Sequence, residues 1–130
     1  MTRPPSPVIR NVDAVTSSRV ERSRGAEIQI LIGPADGAPN FITRRFTLAP
    51  GGRIPRHRHD TIEHEQLMLS GAMTLGLDDR QVDLREGDSI FIPPGVAHWY
   101  ENRGDEPAVF LCVVPHTAEY QTEWLEAPAS

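Results

Sequence analysis

From Glu27 onward the apolar positions fall in short runs that alternate with polar ones, the two-residue period of strands with one buried face. The runs are EIQILI, FITRRFTL, HEQLMLS, AMTLGL, QVDL, SIFI, AHWYEN and AVFLCVV; between them sit the turn formers GPADGAPN, APGG, DDR, REGD, PPG and NRGDEP. Ile42, Phe46 and Leu48 share one parity, as do Met73, Leu75 and Leu77. No 3.6-residue period persists over three turns. Many short strands with little helix predict an all-β sandwich or barrel. Residues 27–115 would form it. Residues 1–26, rich in Pro, Ser and Arg, predict an extended arm. Residues 116–130 predict a surface tail with room for one brief helical turn.

Composition narrows the chemistry. A chain of 130 residues makes one domain. All 13 basic residues are arginine, so Schiff-base chemistry and lysine general bases are excluded. A formal charge of −5 argues against a nucleic-acid binder, and no apolar run approaches the ~20 residues of a membrane span. The lone Cys112 leaves no internal disulfide, and the first residues lack the apolar stretch of a secretory signal, so a reducing cytoplasm is expected.

The stretch HRHDTIEH places His57, His59 and His64 within eight residues. On a strand, His57 and His59 share a face roughly 6.6–6.8 Å apart, and two imidazoles so placed can lean onto one metal ion at about 2.0–2.1 Å each. Gly51 precedes His57 by five intervening residues, and Gly71 closes the next run. Further on, Gly87, Pro93, Gly95, His98 and Asn102 have the skeleton G, five residues, PxG, two residues, H, three residues, N. Here the chain resembles the cupins, whose two motifs are G-x5-HxH-x3,4-E-x6-G and G-x5-PxG-x2-H-x3-N. The resemblance covers about residues 25–115 and implies a double-stranded β-helix, or jelly-roll, barrel.

The second motif matches at every fixed position; the first departs at the glutamate. Only His64 satisfies both flanking gaps, with Glu63 the runner-up. The resemblance therefore implies a four-histidine centre of His57, His59, His64 and His98, similar to the small single-domain manganese cupins. Here the gap before the third histidine is one residue longer and lacks the Trp common in that subgroup. Four neutral imidazoles would leave a divalent ion its full charge, suited to anionic or chelating oxygen ligands. Imidazole suits Mn, Fe, Ni, Cu and Zn; resemblance favours manganese.

The remaining residues divide by parity. Gly51, Gly71, Gly87 and Gly95 read as turn glycines, Pro93 and Pro94 as shaping the turn that delivers His98, and His116 as solvated. Trp99 opposes His98 and would pack between sheets or against a partner subunit; Tyr100 shares the parity of His98 and faces either cavity or core. Arg44 lies on an otherwise apolar face, as a strand-end partner of a carboxylate or as a substrate anchor. The resemblance sets Arg44, Phe110 and Cys112 on the pocket wall, and Gln66 is a candidate for orienting a ligand.

The expected function is a metal-dependent, dioxygenase-like oxidoreductase acting on a small organic molecule in a Phe- and Met-lined cavity. The alternatives are a non-redox isomerase, cyclase or lyase, in which the ion polarises a carbonyl, and a non-enzymatic small-molecule-binding module. A homodimer is expected, with the 1–26 arm covering the neighbouring barrel.

Overall fold

The computed structural model describes residues 5–129. Ten strands follow in chain order: β1 Ser18–Arg19, β2 Arg24–Ile32, β3 Phe41–Arg58, β4 His64–Ser70, β5 Ala72–Leu77, β6 Arg80–Arg85, β7 Ser89–Ile92, β8 His98–Glu101, β9 Ala108–Pro115 and β10 Glu123–Trp124. Every pairing is antiparallel, and the order β6-β5-β8-β3-β9-β4-β7 forms one curled sheet, with β2 and β10 also on β3. This is the expected all-β jelly-roll. No helix among the described residues is long and apolar enough to cross a membrane.

Strand β3 turns the sheet's corner. Its first half pairs with β2 and β9, its second with β8 and β10. APGG, expected as a turn, instead lies within β3 as an irregularity: the β2 register jumps from Ala26↔Leu48 to Arg24↔Arg53. A Cβ on Gly52 would sit 2.8 Å from the Ala49 carbonyl and 2.9 Å from that of Gly25, so only glycine permits the strands to close here. The four turn glycines all have positive φ, as expected.

Alternation places the apolar faces inward. Leu48, Ile62, Met68, Leu75, Ile92, Phe110 and Val114 are fully buried, and Phe110 stacks on Phe46 with centroids 4.9 Å apart. Trp99 lies on the opposite face across Gly76, flanked by the guanidiniums of Arg53 and Arg103 at 4.6 and 5.7 Å.

Asn102, last residue of the second motif, holds the corner. Its buried amide donates to the carbonyls of Leu48 (3.0 Å) and Glu106 (2.7 Å) and accepts from Gly104 N–H (3.0 Å). Its backbone exchanges bonds with Gly51 and Gly52. Asn102→Ala strands the buried Leu48 carbonyl, at about 1–3 kcal/mol, and frees the part-buried Glu106 carbonyl at a smaller cost. Chemical denaturation is expected to show about 3 kcal/mol of lost stability; under about 0.5 kcal/mol, a typical surface change, would contradict this role.

Described segments before β2 and after β9 pack against the barrel. The segment expected as an extended arm forms a 3-10 turn at Val12–Ala14 and the short β1, which pairs with β2, and Arg10 forms an ion pair with Asp36 at 2.6 Å. The tail, which had room for a brief helical turn, contributes the short strand β10, paired Glu123↔Arg58 and Trp124↔His57. Two residues of β-pairing leave no legible period.

Candidate metal centre

Cross-strand register builds a cavity of about 200 Å³ between the curled faces. One row of directly opposed residues is Arg44, Cys112 and Gln66 on β3, β9 and β4; the next row is Phe46, Phe110 and Met68. Across the cavity, Ile54 faces Tyr100 and His57 faces His98. Ile54 and His57 are three residues apart yet both point inward, because a register shift lies between them. Such bulges re-aim side chains, and buried Pro55, having no N–H to lose, sits within this one.

The ring nitrogens of His57, His59 and His98 lie within 4.8 Å of one another, all three residues buried. In each, Nδ1 meets a backbone carbonyl: His57 with Pro55 (2.7 Å), His98 with Val96 (3.0 Å) and His59 with Gln121 (2.9 Å). A ring donating from Nδ1–H keeps its Nε2 lone pair free, the state a metal requires. His98 Nε2 is buried without a partner, a cost that a cation would relieve. Burial, then the field of neighbouring rings, pushes His57 down to about 4 and His98 down to about 3. Burial also lowers His59 and His64. All are therefore neutral at pH 7. A nitrogen-only donor set of neutral rings fits a divalent transition metal.

His64 is buried against this trio, its ring no farther from His59 and His98 than those two are from each other, 6.1 Å. Its ring is 5.1 Å from that of His59 and 5.0 Å from that of His98. Its Nδ1 is buried with no partner, so no carbonyl fixes its tautomer. Glu63, the alternative third ligand, is exposed.

Sequence parity located the pocket wall only in part. Arg44, Gln66, Cys112 and Tyr100 line the cavity. Phe110 does not: it lies in the core, beneath Phe46 and Tyr100. The cavity is not Met-lined either, since Met68 and Met73 belong to the core and its apolar lining is Phe46, Ile28 and Ile54 with Val20. Arg44 has no carboxylate partner among the described residues, contrary to the strand-end pair. It donates to Tyr120 Oη (3.2 Å) and Cys112 Sγ (3.1 Å). Gln66 Nε2 donates to Tyr100 Oη at 2.6 Å. Burial raises the Tyr100 phenol far above its ordinary value, so it keeps its proton. His116 is exposed, as expected.

The tail supplies what sequence reasoning missed. Tyr120, Thr122 and Trp124 line the cavity mouth. The Trp124 and Tyr120 rings lie 5.0 Å from His57 and His59 respectively. Glu126 anchors the segment, accepting from Arg53 (2.8 Å) and the Arg56 N–H (2.6 Å). Truncation after Thr117 removes the carbonyl that fixes His59, and loss of such a partner costs about 10–100-fold in metal affinity. Competition with a chromophoric chelator should show that drop in a chain whose β-type circular dichroism is kept; unchanged affinity would rule out the positioning role.

Residues 44–114 match the family Cupin_2, the cupin domain. The chain belongs to the cupin family. Its fold superposes on the polyketide cyclase RemF from Streptomyces resistomycificus with a TM-score of 0.84 at 28% identity, covering 95% of this chain and 89% of RemF. It is 34% identical to protein SchB of Streptomyces halstedii over 88 residues, 67% of this cupin but only 64% of SchB. It is 27% identical to the tetracenomycin polyketide synthase protein TcmJ of Streptomyces glaucescens over 124 residues, 90% of this chain and 83% of TcmJ.

Proposed function

We propose that this cupin is a metal-dependent, non-redox polyketide cyclase. The observation that carries this is the likeness to RemF over nearly the whole of both chains, with SchB and TcmJ in support. It favours the cyclase alternative over the dioxygenase-like expectation. His57, His59 and His98 would hold the ion through Nε2, with His64 as a proposed fourth ligand. A divalent ion there supplies Lewis-acid polarisation of a carbonyl oxygen; zinc, manganese, iron, copper and nickel all suit imidazole.

The chain's own residues supply the rest. Cyclisation joins an enol carbon to a carbonyl carbon; the carbonyl oxygen takes up a proton, and loss of water restores conjugation. No electrons leave for an oxidant. Tyr100, kept protonated by its burial, is the proton donor beside His98, its ring 5.6 Å away. Tyr120 and Trp124 exclude bulk water. A cavity of about 200 Å³ is smaller than the roughly 300–1,000 Å³ of sites that engulf a drug-sized ligand, so it takes the reacting end of a chain. The test is anaerobic incubation of zinc-loaded protein with a poly-β-ketone chain. The expected product has the substrate's mass or that mass less water. A strict requirement for oxygen, or failure with zinc alongside turnover with iron, would refute the reading, because zinc cannot change oxidation state.

A further inference from the structure

The cavity floor carries two polar groups that the cyclase reading leaves without work. Arg44 Nε and Gln66 Oε1 are both buried without a hydrogen-bond partner. One is a donor on a cation, the other an acceptor, and they flank the same atom: Cys112 Sγ receives Arg44 Nη2 at 3.1 Å and Gln66 Nε2 at 3.4 Å. Arg44, Cys112 and Gln66 are direct partners across β3, β9 and β4, so the row is rigid. The guanidinium carbon lies over Phe46, 5.1 Å from the ring centroid.

The charge around this row is uncompensated. The cavity lining includes one carboxylate, Glu21, which is exposed. A half-buried guanidinium bonded to a phenol and a thiol, with no carboxylate partner among the described residues, is an incomplete ion pair, and leaving it so is costly. Its missing partner is an anionic oxygen. The orphaned Gln66 oxygen, one strand further along, calls for a hydroxyl donor on the same ligand.

Resting on the cyclase reading, we infer that Arg44 and Gln66 form a specificity subsite for the enolised β-dicarbonyl unit of the substrate. Arg44 Nε donates to an oxygen that shares the enolate charge, and Gln66 Oε1 accepts from the enol hydroxyl of the next unit along the substrate chain. The subsite thus selects the enolate, formed when the central C–H proton is released, over the neutral diketone before any carbon–carbon bond forms. No covalent step is required of it.

Zinc-loaded protein is titrated with 2,4-pentanedione by calorimetry in two buffers of different ionisation enthalpy, which reads protons released on binding. A parallel titration uses 3,3-dimethyl-2,4-pentanedione, whose central carbon carries no hydrogen. The subsite predicts that the first binds with release of about one proton and at least tenfold more tightly than the second. Arg44→Met, with zinc content unchanged, should weaken the first at least tenfold, and Arg44→Lys should recover part of that loss. Equal binding of 2,4-pentanedione by wild type and Arg44→Met, with the same proton release, would place the anion elsewhere and overturn the subsite while leaving the cyclase reading intact. Should Arg44→Met fail to fold, the two diketones are compared on metal-free wild-type protein, where chelation cannot contribute, and equal affinities overturn the proposal. Binding of neither diketone by the wild type also overturns it; turnover of a polyketide chain, measured separately, judges the cyclase reading.

Discussion

Replacing His98 by alanine is expected to remove bound metal and cyclisation together, the largest effect of any single substitution here. His98 is the least exposed of the three converging rings. It is also the one whose Nε2 has nothing else to bond. Its position is doubly fixed: Nδ1 meets Val96 O, and the Ala97 N–H donates to Asp78 Oδ1 at 3.1 Å. A ligand held this firmly contributes more than the partner that orients a ligand. The affinity loss should therefore exceed about 100-fold, the upper end for loss of an orienting partner. Elemental analysis of dialysed protein should find metal in the wild type and background levels in His98→Ala, with turnover lost in parallel. The apo-variant should still fold, because the change gives up one hydrogen bond, from Nδ1 to Val96 O, and none at Nε2. Retention of stoichiometric metal in His98→Ala would remove the centre on which the cyclase reading stands.

The sequence resolved this site unevenly, for physical reasons. Alternation and turn chemistry are local, so the strands and their inward faces were legible, and His57, His59 and His98 do converge. Parity gives a face but not a depth. Phe110 and Cys112 share a parity, yet Cys112 reaches the cavity while Phe110 lies beneath Phe46 and Tyr100. Spacing gives a position but not an orientation: His64 is buried against the trio, but its Nδ1 lacks the carbonyl partner that each of the other three rings has. The glycines of APGG predicted a turn; they serve a strand that bends past Gly25. The tail was least legible. Tyr120 and Trp124 gain their role by docking on residues some sixty positions earlier, and a two-residue strand has no periodicity to announce it. Arg44 was legible as an anomaly, a charge on an apolar face, but the absence of its expected carboxylate is a tertiary fact.

Metal-free protein is expected to lose stability steeply on mild acidification. His57 and His98 titrate at about 4 and about 3 in the fold, against about 6.5 in an unfolded chain. As pH falls below about 6.5 the unfolded state binds protons that the folded state refuses, so the equilibrium moves toward unfolding. The stability these neutral rings confer is fully present above pH 6.5 and is lost as pH falls through the window down to about 3. At 1.36 kcal/mol per pH unit, each ring costs about 2 kcal/mol at pH 5, and the two about 4 kcal/mol. That is a large share of the roughly 5–15 kcal/mol of a typical domain. A bound cation opposes the same protons for the same lone pairs, so metal-loaded protein should hold its melting temperature to lower pH and then lose metal and fold together. Melting curves of chelator-treated and zinc-loaded protein between pH 7.5 and 4.5 test both halves. A melting temperature of the chelator-treated form that stays flat across that range would mean the rings are solvated rather than packed around a shared centre.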